Sequence, residues 1–323
     1  MLRNLVHKSA SLFRRISKFI RKDVWDLDVT VLSKTKSRIV RMIRVVTKTL
    51  KDFADHAIGF QTVALSYFCT MAFVPFIAVA FAVTNGFGLA DKLKALLYSS
   101  NVSQDIIDSI LNSADKILAS ATNGVFGLVS ALMFVWLVIW MMMRVETVFN
   151  NVWRVRKRPF LKSFGFDVVL LFLAPFVVLL LYSGTIVYSH VLDLIPNGIG
   201  VTASIKSFLG WIIAGVITIL IFSAMYKYIP AVDVRYGNAV KAAVIAGVAF
   251  TALQYLYLET QVLVMRLNAV YGTIAAIPLF MIWMRFGWLI IMYGAQFSCT
   301  FQTLETSEDS DAPQTENKDL VEI

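Results

Sequence analysis

Uncharged apolar runs constrain this chain more than any other feature. Val125–Met143 and Val168–Val187 each extend for about twenty residues without an ionisable side chain, enough to cross a hydrocarbon layer of roughly 30 Å. Six such segments are expected: Ala57–Val83 with Pro75, Gly124–Val145, Phe166–Tyr188 with Pro175, Phe208–Tyr228, Val240–Leu263, and Thr273–Phe301 with Pro278. A proline inside a membrane helix frees a carbonyl and usually bends the helix. Apolar residues make up 58% of the 323 and charged residues 16%, against about 25% charged in soluble domains. A soluble fold would leave large apolar patches exposed. The fold class is therefore all-α, a polytopic helical bundle.

The net charge of +9 looks like that of a nucleic-acid binder until its distribution is read. Residues 1–51 carry fourteen Lys and Arg against Asp23, Asp26 and Asp28, whereas the tail from Gln302 carries seven acids against Lys318. Beside hydrophobic spans, the simpler partner for the basic segment is an anionic lipid leaflet, and no nucleic acid is expected. The segment Arg144–Lys162 holds six cations against Glu146, and Lys227–Lys241 holds three against Asp233, while the alternate loops are poorer in cations. By the positive-inside rule both termini are cytoplasmic, as an even number of spans also requires. The expected localisation is a membrane crossed several times, with the cation-rich loops on the cytoplasmic side. Met1–Lys22 is too interrupted by charge for a signal peptide, and the three early aspartates weaken a transit-peptide reading.

Three regions follow: a basic cytoplasmic segment 1–54, a six-helix domain 55–302 and an acidic disordered tail 303–323. Within the first, Arg38, Arg41, Arg44, Lys48 and Lys51 recur every three or four residues. Ile39, Met42, Ile43, Val46, Leu50 and Phe53 lie between them, giving a helix over 38–54 that suits either the membrane interface or an ordinary packed surface. Trp153, Arg154, Arg156, Lys157 and Arg158 form a second basic patch expected at the inner interface. In the exterior loop 85–123, Gln104–Ala119 is an amphipathic helix with Ile106, Ile110, Ala114, Ile117 and Leu118 on one side. Ala242/Ala246 and Ala243/Gly247 place small residues four apart, a signal for close helix packing.

Arg285 lies near the middle of the last span, where a charge costs about 2.5–3.5 kcal/mol. Either it meets an anionic ligand in an internal cavity, which its planar fork suits, or it bonds helix carbonyls, Tyr hydroxyls or waters within the bundle or stacks on a Trp. Gln254 and Thr251, one turn apart, line a pathway or make interhelical hydrogen bonds. Gln61, Ser66 and Tyr67 in the first span share that ambiguity. Glu259, with Gln261 and Arg266, is an outer gate or an interfacial ion pair. Cys69 and Cys299 sit in apolar spans and read as buried thiols, with no metal or cofactor implied.

Four motifs in order carry a family resemblance over about residues 55–300. They are ALSYF at 64–68 followed by Pro75; Asn150, Trp153 and Val155; Tyr226, Pro230, Val232, Val234 and Arg235; and YGTIAAIPLFMIWMRFGWLIIMYGA at Tyr271–Ala295. In these the chain resembles the YihY/BrkB family of bacterial inner-membrane proteins. The resemblance implies a membrane protein suspected of envelope transport. Thr251 and Gln254 stand where the family pattern has a Glu and a Lys, Gln296 where an acid follows GA, and Arg285 where a neutral residue is usual. A ribonuclease label once attached to the family finds no support, because His7, His56 and His190 are scattered without carboxylates at metal-ligand spacing. No enzyme is expected. The functional expectation is a flippase-like transporter of an anionic amphiphile such as an envelope lipid. The alternatives are an ion- or solute-coupled secondary transporter and a non-transporting scaffold with envelope protein partners.

Overall fold

The computed structural model describes residues 34–99, 104–121, 124–169, 171–172, 203–265 and 269–311. Among these there are helices and no strands. In chain order they are α1 (Lys34–Asp55), α2 (Ile58–Gly86), α3 (Ala90–Ser99), α4 (Gln104–Ala121), α5 (Gly124–Trp153), α6 (160–169 and 171–172), α7 (Ala203–Tyr228), α8 (Tyr236–Met265) and α9 (Ala269–Asp311). Four of them contain stretches long and apolar enough to span a bilayer: Ala131–Trp153, Gly210–Tyr228, Tyr236–Thr260 and Pro278–Ser307. Helix α2 makes a fifth if its halves, Ile58–Phe73 and Pro75–Thr84, form one span bent by 52°. The bend falls at Pro75, whose missing N–H and ring clash with the preceding turn explain it. The expected third span, Phe166–Tyr188, lies mostly outside the described residues.

The bundle is organised around α9, which packs on α8, α2, α1, α5 and α7. At 43 residues it is about 65 Å long at 1.5 Å per residue, roughly twice the hydrocarbon thickness. The segment α1–α2 runs antiparallel to it: Thr49 bonds Thr300 at 3.1 Å, Phe53 stacks on Tyr293 at 3.8 Å, and Phe73 meets Phe280. The ends of α5 and α7, the start of α8 and the cation-rich loops all gather at one end of the molecule, the basic end. At the opposite end α3 and α4 cap the upper half of α2. Ile107 and Leu111 of α4 and Leu93 of α3 are buried against Ile77, Ala78 and Phe81. Helix α4 covers the expected amphipathic stretch, but the residues it is seen to bury, Ile107 and Leu111, are not of the expected face. The side chains of Ile106, Ile110, Ala114, Ile117 and Leu118 lie outside the described set. Helix α3 carries no comparable amphipathic signal in its ten residues.

Small residues act where the pattern places them. A Cβ on Gly247 would come within 2.5 Å of Ile219 on α7, and one on Gly294 within 2.0 Å of the Tyr226 hydroxyl and 2.7 Å of Ala246 Cβ. Tyr226, fully buried, donates to the Ile291 carbonyl at 3.1 Å. The Tyr226 of one motif and the Gly294 of another are therefore two halves of one contact. Large apolar side chains such as Phe60, Leu132, Val248 and Leu256 face outward, which only a lipid surround makes favourable.

One boundary needs correction. The expected disordered tail begins inside α9, which continues helically to Asp311. Glu305 explains why: it bonds Lys241 and Asn238, each at 2.8 Å, and Gln302 accepts from the Arg235 N–H at 2.8 Å. These bonds tie the helix to the start of α8. Residues 312–323 lie outside the described set.

Candidate functional site

Between α2, α5, α8 and α9 there is an open-sided apolar cleft of about 210 Å³. Its walls include Cys69, Phe73 and Phe76 from α2, Phe250 from α8, and Trp283 and Trp288 from α9. On α2 the lining positions 69, 72, 73 and 76 recur at helical spacing, as do 284, 287, 288 and 291 on α9. Gly287 thins the α9 wall, and a Cβ there would sit 3.3 Å from Phe250. A cleft of this size exceeds the roughly 150 Å³ that admits benzene in an engineered apolar cavity. Two of its wall residues, Trp283 and Trp288, carry indole N–H groups, and that of Trp283 is buried without a partner. The surroundings suit a hydrocarbon chain carrying a hydrogen-bond acceptor.

Arg285 belongs to a neighbouring site. Although Met284 and Gly287 line the cleft, the Arg285 side chain turns away to the junction of α1 and α2. Its Nη1 donates to the Gly59 carbonyl at 3.0 Å and to the Thr62 hydroxyl. Among the described residues no carboxylate pairs with it. The chain can pass this junction because Ala57 adopts a left-handed φ of 49°, which breaks the helix between Asp55 and Ile58. Gln61 bridges the same junction, donating to the His56 carbonyl at 3.4 Å and accepting from Asn151 of α5 at 2.9 Å. Of the readings open for Arg285, the structure displays bonding within the bundle to a helix carbonyl, with a threonine rather than a tyrosine hydroxyl as the second partner.

The other pathway candidates are dispersed. Thr251 returns its hydroxyl to the Gly247 carbonyl at 2.8 Å and faces Gly215 of α7. Gln254 is half-buried on α8, Gln296 is buried on α9, and Tyr67 and Glu259 are exposed. None of these, nor Gln61, lines the cleft. In the basic helix α1, Arg38, Arg41 and Lys51 are exposed while Arg44 and Lys48 are half-buried. Its face toward α9 buries Val40, Val45, Thr49 and Phe53, and Ile39, Met42, Val46 and Leu50 form a second, outward row.

The basic patch after α5 divides in two. Arg154, Arg156 and Lys157 are exposed, Arg154 pairing with Asp52 at 3.3 Å. Arg158 instead reaches inward. It binds Glu146 at 3.0 Å and the carbonyls of Tyr228, Ile229 and Pro230 at 3.2, 3.1 and 2.9 Å, and lies over the Phe166 ring. Ser163 donates to the other Glu146 oxygen, and Asn150 accepts from the Ala231 N–H at 2.7 Å. This knot joins α5, α6 and the α7–α8 turn. Reading charge along the loop missed it, because a guanidinium among five other cations looks like a surface group. The signal available was Glu146, the lone acid in a stretch selected for positive charge.

With this geometry in view, comparison with known proteins places the chain. The profile of the family described as "Virulence factor BrkB" matches residues 49–319. The chain belongs to that family. Three relatives, each named a UPF0761 membrane protein, illustrate the spread. The one from Janthinobacterium sp. (strain Marseille) is 28% identical, over 72% of this chain and 53% of its own length. That from Actinobacillus pleuropneumoniae is 26% identical, over 78% and 91%, and that from Chromohalobacter salexigens 28%, over 80% and 64%. The chain thus spans about half the length of the first relative and most of the second. No solved structure matches it. It is an integral membrane protein of the BrkB family, and the Tyr226, Pro230 and Tyr293–Ala295 motifs fall on the packed basic end.

Proposed function

We infer that this BrkB-family protein moves an anionic amphiphile, an envelope lipid, within a bacterial inner membrane, without chemically converting it. The observation that carries the reading is the open-sided, aromatic-walled apolar cleft between α2, α5, α8 and α9. A lipid tail entering it gains apolar contact with these walls. Arg285, with no carboxylate partner among the described residues, offers its remaining donors to a phosphate beside the α1–α2 junction. The basic end faces the cytoplasm, where the exposed cations of α1 and of the loop after α5 meet anionic head groups and the outward row Ile39, Met42, Val46 and Leu50 enters the leaflet.

Liposomes containing the purified protein and a fluorescent anionic phospholipid test this by the fraction of label reachable by an impermeant quencher. Protein-dependent loss of the protected inner-leaflet signal is expected. Gly287→Leu, which fills the cleft, abolishes it, and Arg285→Gln reduces the preference for anionic over zwitterionic lipid several-fold. Transport unchanged by Gly287→Leu at equal protein levels contradicts the reading.

A further inference from the structure

The knot at the basic end contains a second carboxylate that the bonds described above leave out. Asp167, on α6, is 2% exposed, and its Oδ2 is buried without a hydrogen-bond partner. The charged groups acting on it are Glu146 of α5, itself only 4% exposed, and Arg158 of the α5–α6 loop. From α2 and α5, Phe76, Val79, Val138, Ile139, Met142 and Met143 pack against the apolar side chains of α6. One guanidinium therefore faces two enclosed carboxyl groups. Arg158 is already committed to Glu146 and three carbonyls, and Glu146 also accepts from Ser163. An ionised Asp167 would be an uncompensated charge in an apolar wall, a strongly unfavourable state.

We propose that Asp167 is a proton-binding site, carrying a proton on its buried carboxyl group and releasing it when the α5–α6–α7 knot opens. A proton fits better than a metal ion. The adjacent guanidinium repels cations, and among the described residues no group of three metal-ligating side chains occurs. Release has a mechanical consequence: an ionised Asp167 competes with Glu146 for Arg158, and Arg158 is what holds the carbonyls of Tyr228, Ile229 and Pro230. Protonation at Asp167 thereby sets how tightly the α7–α8 turn is stapled to α5. The proposal stands whether or not the protein moves lipid.

Infrared spectroscopy of the full chain in nanodiscs, titrated with pH, reads this directly. A protonated-carboxyl C=O band that shifts on deuteration and disappears at alkaline pH is expected in the wild type. It should be lost in Asp167→Asn, which keeps shape and removes the titration, and retained in Asp233→Asn, which alters an exposed acid. Absence of the band in the wild type, or its persistence in a folded Asp167→Asn, overturns the assignment. The wild-type titration requires no variant, so a misfolded mutant leaves it decisive.

Discussion

At the basic end, Arg158 alone engages one carboxylate and three carbonyls, Glu305 joins two side chains of α8, and Tyr226 packs where any Cβ on Gly294 would collide. Along the same helix α9, only two turns from Gly294, the cleft offers the opposite: aromatic walls, a wall thinned by Gly287, and an indole N–H with nothing to bond. Polar groups in the first region are fixed by specific partners, so alternative packings lose several bonds at once. In the second, the contacts are dispersive and non-directional, so side chains can shift to admit a guest. A helix twice as long as the membrane is thick can thus be anchored at one end and yield in its middle.

Four substitutions separate a clamped end from an adaptable middle. Arg158→Ala leaves Glu146 buried and three carbonyls unpaired, and should destabilise by about 3–5 kcal/mol, measured as thermal unfolding in detergent. Gly294→Ala forces a methyl group into the Tyr226 hydroxyl and Ala246, with an expected loss of about 1–3 kcal/mol. Gly247→Ala meets only Ile219, principally its flexible Cγ1, and should cost about 1 kcal/mol. A cost for Gly247→Ala equal to that of Gly294→Ala would show that the clamp is not confined to the basic end. The smallest effect concerns Asp233, whose carboxyl Lys227 at 2.5 Å holds below its ordinary value of 3.8. Its contribution is present at neutral pH and lost as pH falls through that depressed value. Because Asp233 is exposed that contribution is small, so Asp233→Asn should lower stability at neutral pH only slightly and flatten its pH dependence in strong acid.

How much of this was legible beforehand depended on the range of the interaction. The helices over Gly124–Val145, Phe208–Tyr228 and Val240–Leu263 follow from apolar length with charges only near the ends, a property local to each segment. The Ala243/Gly247 spacing announced close packing, and Gly247 does approach Ile219. Arg285 was conspicuous as an isolated charge, but its partners Gly59 and Thr62 lie more than two hundred residues away in the chain. Arg158 was misplaced for the same reason, since its ligands belong to a turn some seventy residues distant. The cleft had no sequence signature at all. Cys69, Phe73, Phe250 and Trp283 are ordinary membrane-helix residues until the bend at Pro75 and the missing Cβ of Gly287 open a space between them.

The claim on which the functional account rests is that a lipid tail occupies that space. A phospholipid with a photoactivatable group on its acyl chain, cross-linked to the protein in liposomes and mapped by mass spectrometry, tests it most directly. Adducts on the 69–76 and 283–291 segments, competed by unlabelled anionic lipid and lost in Gly287→Leu, are predicted. Adducts confined to outward residues such as Phe60, Leu132 and Val248, with none inside the cleft, would contradict it.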